Sequence, residues 1–175
     1  TCLVESTLEF DACFHFEYSP LIVSFEAQPL GFMYDFQGRT YPYTPDFLLV
    51  HFDGTQNYLE LKYEKELVEV EFRNRFEKKQ KAAEQKGIKL ILVTEKQIRT
   101  SPILDNLKLL HRYSGFQELT EQQIEIVELV NTIGVIKIGL LVSHLNLSTG
   151  EVLSAVVRLL CLGKLFTDLS AHEIS

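Results

Sequence analysis

Along ESTLEFDACFHFE, residues 5–17, apolar side chains return every fourth position at Leu8, Ala12 and Phe16. Ser6 followed three residues later by Glu9 has the form of a capping box, so the pattern predicts a helix, ended at Ser19-Pro20. LIVSFEAQP (21–29) and GFMYDFQG (31–38) are short and rich in β-branched and aromatic residues, and read as strands. Residues 46–52 and 57–63 read as two more, joined at Asp53-Gly54, a dipeptide that tolerates the positive φ of hairpin turns. The period then changes. From Lys65 to Lys86 there is neither Gly nor Pro, and Leu67, Val70, Phe72 and Phe76 alternate with Glu, Lys and Arg, which predicts a long amphipathic helix stopped at Gly87. IKLILV (88–93) is apolar enough for a covered central strand, and TEKQI and SPILDNLKLLHRY supply closing helical segments. Residues 1–115 are expected to form a mixed α/β domain.

Residues 116–175 have a different texture. Thr120 with Gln123 and Ser148 with Glu151 make two further capping boxes ahead of apolar helical stretches. IKIGLLVSHLNLS between them reads as a short helix, and LGKLFTDLS as a small β extension. Three helices with a terminal hairpin predict a small winged-helix-like domain.

Composition narrows the class. At 175 residues, 46% hydrophobic and 23% charged, the chain suits a globular protein with a real core. It has no uninterrupted apolar run of bilayer length, and its first residues lack a basic-then-apolar signal pattern, so a soluble, cytoplasmic protein is expected. Cys2, Cys13 and Cys161 form neither a disulfide framework nor a CxxC knuckle and are expected to be reduced and mostly buried. The five histidines fall in no HExxH-like spacing, which argues against a zinc enzyme.

The net charge of −7 hides an asymmetry. Residues 1–61 carry one basic and nine acidic side chains, residues 62–112 thirteen and eight, and residues 113–175 three and seven. A basic middle between acidic flanks fits either a DNA-facing surface beside a carboxylate-rich site or a solvated helix of mixed charge.

The candidate chemistry sits in YTPDFLLVHFDGTQNYLELKYEK, residues 41–63. Side chains alternate along a strand, so Glu60 and Lys62 share one face, and Asp46 on the partner strand reaches it if the register allows. Converging carboxylates repel unless a cation lies between them, and such oxygen ligands suit Mg²⁺ or Mn²⁺. Lys62 would then orient a nucleophile and offset charge on a phosphate. The alternative is a turn residue at Asp46 and an exposed Glu60/Lys62 strand pair. Glu9 falls inside the apolar arc of the first helix, where an unpaired carboxylate is costly. It needs a partner, either a cation shared with Asp46 or a nearby Lys or Arg.

Pro45-Asp46 followed by Glu60-Leu61-Lys62, behind a helix carrying Glu9, resembles the PD-(D/E)xK superfamily with its restriction-endonuclease-like fold. The longer string STLEFDACFHFEYSPLIVSFEAQP, YTPDFLL and YLELK resembles TnsA, the endonuclease subunit of heteromeric transposases, including CRISPR-associated ones. The resemblance implies an α/β fold with a mixed sheet flanked by helices. It also implies metal-dependent hydrolysis at the 5′ side of transposon ends, alongside a DDE-type transposase subunit that processes the 3′ side. Glu9, Asp46 and Lys62 fall on the family's catalytic positions, and Glu60, with Glu9 and Asp46, on its Mg²⁺-ligand positions. Gln28 falls on a supporting position, or is a structural amide. Phosphate contacts are expected from Arg73, Arg75, Lys78, Lys79, Lys81 and Lys86 on the basic helix. The last helix offers only Arg158 and Lys164, too few for sequence reading, so a docking role is expected for residues 116–175. The resemblance makes the partner an AAA+ ATPase regulator and the setting a bacterial nucleoid. A stand-alone restriction or repair nuclease and a non-catalytic DNA-binding assembly factor are the competing readings.

Overall fold

In the computed structural model, which describes residues 4–115 and 118–174, the first helix, α1 (Thr7–Glu17), starts where the capping box predicts. Ser6 Oγ accepts the Glu9 N–H at 3.1 Å. Leu8, Ala12 and Phe16 form its buried stripe, with Phe47, Leu49, Leu59, Leu61 and Ile98 from the sheet side.

The chain divides into two compact units at Thr100/Ser101. The first is built on a four-stranded sheet in the order β1 (Ile22–Ala27), β4 (Phe47–His51), β5 (Gln56–Lys62), β6 (Lys89–Thr94). β1, β4 and β5 are antiparallel, while β5 and β6 are parallel. A parallel pair needs a crossover, supplied here by α2 (Val70–Glu84). β2 (Phe32–Phe36) and β3 (Arg39–Tyr43) form a separate two-stranded ribbon. Its turn uses Gln37 and Gly38, both at positive φ. Phe32, Tyr34, Phe36 and Tyr43 of the ribbon pack with Phe76 and Ala83 of α2 and with Tyr58 and Leu90 of the sheet. One core thus lies on the α1 side, with the short helix α3 (Glu95–Ile98), and a second on the α2 side. The sheet is mixed and flanked by helices, as expected.

Three local expectations change. β3 was not foreseen, because Pro42 argues against a strand; a two-stranded ribbon has only edges, where a missing N–H does no harm. α2 begins at Val70 rather than Lys65, after a 3₁₀ turn over Glu64–Glu66. In the β4–β5 turn only Gly54 takes positive φ, while Asp53 Oδ1 accepts the Thr55 N–H and hydroxyl. Gly87 does stop α2, with φ +78 and the Ile88 N–H returning to Ala83 O.

The second unit is helical: α4 (Ile103–Arg112), α5 (Glu121–Ile133), α6 (Ile138–Leu145) and α7 (Thr149–Cys161). The unit division assigns α4 here, whereas the sequence reading placed it before a boundary at 115. The Thr120/Gln123 and Ser148/Glu151 boxes open α5 and α7 as predicted. Ile126, Leu141, Val152, Val156, Leu159 and Leu165 form the core.

The expected β extension is absent, with no strand among the described residues after Cys161. Gly163 ends α7 at φ +65, and Asp168 Oδ1 spends the local backbone on a turn to Ser170 N–H. The tail is then tied to Asn106, whose Nδ2 donates to Leu169 O and His172 O and whose Oδ1 accepts the Ile174 N–H. The three helices of the winged-helix expectation are therefore present without its wing.

No single helix among the described residues is long and apolar enough to cross a membrane. Cys13 and Cys161 are half-buried, and Cys2 lies outside the described residues.

Candidate functional site

The regular β4–β5 ladder ends at Phe47 opposite Leu59. Asp46 continues it irregularly: its N–H donates to Leu59 O at 3.0 Å, its carbonyl accepts the Gln28 N–H at 2.9 Å, and Oδ2 accepts the Leu61 N–H at 2.6 Å. The carboxylate thus replaces a backbone acceptor at the end of the ladder. Pro45 before it is fully buried, which helps fix this geometry. Burial pushes the Asp46 carboxyl up from 3.8 to about 6. The Leu61 N–H opposes the rise, Glu60 adds to it, Lys62 opposes it, and Glu9 adds a smaller share.

Glu60 is 4% exposed. Leu59 and Leu61 turn to the α1 core, which leaves Glu60 on the α2 face with Tyr58. Its Oε2 accepts the Tyr43 hydroxyl, and Oε1 lies 3.3 Å from Lys79 Nζ and 3.6 Å from Lys62 Nζ. Burial, with Glu60 adding, raises the Tyr43 hydroxyl well above the usual phenol range. Burial lowers the Lys79 ammonium, and the Glu60 carboxylate opposes that fall. Glu60 and Lys62 thus stand 3.6 Å apart on one face, and the charges of both bear on Asp46.

Glu9 is placed differently. It is buried on α1, and its carboxylate accepts the Glu5 N–H at 3.0 Å and the Ser6 hydroxyl at 2.8 Å. These bonds make Glu9 part of the helix cap, no Lys or Arg pairs with it among the described residues, and its charge also bears on Asp46. Gln28 contributes its backbone rather than its amide. It adopts φ +49 and tethers Asp46 through N–H, with its side chain exposed.

The basic helix divides. Lys78, Lys81, Lys86 and Arg73 are exposed, Lys81 pairing with Glu77 at 2.7 Å and Arg73 Nε donating to Leu67 O at 2.8 Å. Arg75 bonds Glu71 at 2.9 Å and lies over the Phe36 and Tyr41 rings, clamping α2 to the ribbon. Lys79, one of the expected phosphate contacts, is turned inward to Glu60. It occupies the stripe of Phe72, Phe76 and Ala83, and a lysine within that apolar stripe was the available signal. Tyr43 gave none, because β3 itself was not legible.

The carboxylates of Asp46 and Glu60 are hard oxygen donors, close enough that the Glu60 charge raises Asp46. Among the described residues no three His, Cys, Asp or Glu side chains are grouped to hold a metal ion. Two carboxylates, completed by water and phosphate oxygens, still match how Mg²⁺ is commonly held.

Residues 19–95 match the family model described as TnsA-like endonuclease N terminal. The match supports a TnsA-like endonuclease. The TnsA-like segment runs from just before β1 into α3 and contains Asp46, Glu60, Lys62 and Lys79. Glu9 and the helical unit lie outside it. No curated protein matches the chain.

Proposed function

We propose that this chain is the DNA endonuclease subunit of a heteromeric transposase, hydrolysing a phosphodiester at the 5′ side of each transposon end for cut-and-paste excision. The observation that carries the reading is the meeting of Asp46, Glu60 and Lys62 inside the TnsA-like segment. Asp46 and Glu60 would hold Mg²⁺, with Mn²⁺ as substitute. Glu9 is the third acidic position the resemblance implies, and each of its oxygens, holding one hydrogen bond in the cap, keeps a lone pair with which it would serve as a ligand. Such an ion, when bound, would polarise the phosphate as a Lewis acid and make water a better nucleophile. Lys62, half-buried beside Glu60, would orient the attacking water by hydrogen bonding and offset the charge developing on the phosphate. Asp46, fixed on three sides by backbone, gives the site rigidity. Arg73, Lys78, Lys81 and Lys86 face solvent and suit the DNA backbone.

The partners are double-stranded transposon-end DNA, a DDE-type transposase subunit and an AAA+ ATPase regulator, in a bacterial nucleoid. The helical unit is assigned to protein docking. α7 carries a single basic residue, Arg158, while Val135, Leu140 and Phe166 are exposed apolar side chains.

The test is strand cleavage by the assembled transposase on transposon-end DNA. Asp46→Ala or Lys62→Ala should abolish Mg²⁺-dependent 5′ cleavage and spare 3′ processing. Unchanged 5′ cleavage refutes the assignment.

A further inference from the structure

Glu60 is held by two cations on one oxygen. Lys62 follows it on β5, whereas Lys79 comes from α2, and their ammonium groups lie 3.6 and 3.3 Å from the same Oε1. The other oxygen is taken by the Tyr43 hydroxyl. Lys79 Nζ also lies 3.9 Å from the Tyr43 ring centroid, and its side chain is only 15% exposed. This differs from the exposed i,i+4 pairs Glu71/Arg75 and Glu77/Lys81 on the same helix. An ammonium withdrawn from water needs strong partners, and Lys79 has a carboxylate and an aromatic face. Its position in the α2 stripe is therefore explained by Glu60 alone among carboxylates within salt-bridge distance in the described residues.

A divalent ion approaching Glu60 meets an oxygen already occupied by ammonium donors. Coulomb repulsion between that ion and an ammonium at contact distance is strong where water is scarce. Both lysines have the same flexible stem, but Lys62 is two residues from Glu60 on one strand and serves the water in the proposed reaction, whereas Lys79 comes from another element and has no part in that reaction. Lys79 is the group free to give way.

We propose that Lys79 is a positioning residue: a tethered cation that holds the Glu60 carboxylate in the metal-free site and surrenders Oε1 to the divalent ion on loading. The inference rests on the metal reading above, and its test separates the two. Mn²⁺ binding to the full chain is measured by calorimetry for the wild type, Lys79→Met and Lys78→Met. Methionine keeps an apolar stem against Tyr43, and thermal melting checks the fold of each variant. Lys79→Met should bind Mn²⁺ tighter, on the order of tenfold for loss of one partly buried competing pair, and Lys78→Met should match the wild type. A second readout is the rate at which Lys79 is reductively methylated, followed by peptide mass spectrometry. It should rise several-fold when the wild type is saturated with Mn²⁺, while Lys78 keeps its rate. Equal or weaker Mn²⁺ binding by Lys79→Met, or a Lys79 methylation rate indifferent to Mn²⁺, overturns this inference and leaves the metal reading standing. Absence of Mn²⁺ binding in every variant overturns both.

Discussion

The Asp46 carboxylate holds the backbone of Leu61, accepting its N–H at 2.6 Å through Oδ2. The bond locks the end of β4 to β5, and it places a negative charge where burial and Glu60 disfavour one. The Leu61 N–H and the Lys62 ammonium favour that charge, but they do not outweigh burial.

Stability should carry the mark of this. With its folded pKa raised from 3.8 to about 6, Asp46 contributes stability that is fully present below 3.8 and is lost as pH rises through 6. Asp46→Asn keeps an acceptor for Leu61 and removes the charge. Urea unfolding without metal should find it more stable than the wild type by about 2 kcal/mol at pH 7.5. The gap should close towards pH 4.

Metal affinity should follow the same group in the opposite sense. Protons compete with the ion for Asp46, so Mn²⁺ affinity measured by calorimetry should fall about tenfold per pH unit below 6 and level off above 7. In Asp46→Asn the residual affinity should be low and should lose this pH dependence.

Glu9 offers a contrast between cap and ligand. Ser6→Ala removes the hydroxyl that accepts the Glu9 N–H and should cost about 1 kcal/mol in unfolding, with cleavage retained. Glu9→Gln keeps one acceptor for the Glu5 N–H and puts an NH2 donor where the Ser6 hydroxyl now donates, a donor that Ser6 Oγ can turn to accept, so stability should stay within about 1 kcal/mol of the wild type. Lost cleavage in the assembled transposase with retained stability would then assign Glu9 to the site rather than to the cap.

On α2 the cations should separate by function. Lys78→Ala and Lys81→Ala should each weaken binding to transposon-end DNA and lower the slope of log K against log salt by about 1, read by fluorescence anisotropy. Arg75→Ala should act chiefly on stability. It removes a guanidinium that spans the Phe36 and Tyr41 rings, at a cost of about 1 kcal/mol or more in unfolding.

In the helical unit, Asn106 is 2% exposed and makes all three tail contacts through one amide. Asn106→Ala should release the tail at a cost of about 1–3 kcal/mol. Hydrogen exchange should show it as lost protection at the Ile174 amide with little change in α5–α7.

Much of this protein was legible in one dimension, and for a local reason. Helix α1, the β4–β5 hairpin, the stop at Gly87 and the capping boxes of α5 and α7 depend on side-chain period and on bonds spanning three or four residues. Strand alternation alone set Glu60 and Lys62 on one face. β3 escaped because Pro42 speaks against strands, and only its pairing in an isolated ribbon makes the proline harmless. The expected β extension failed because a side chain distant in sequence, Asn106, captures the tail.

The sequence by itself determined which residues are charged, which elements carry them, and that residues 19–95 match the TnsA-like endonuclease N-terminal family model. Tertiary structure decided what each charge meets. Glu9 turns to its own cap, Lys79 turns in to Glu60, and Tyr43 arrives from a ribbon whose second strand was not foreseen. The division has one physical cause: period and capping are properties of neighbours along the chain, whereas the partner of a buried charge is set by how separate elements pack around it.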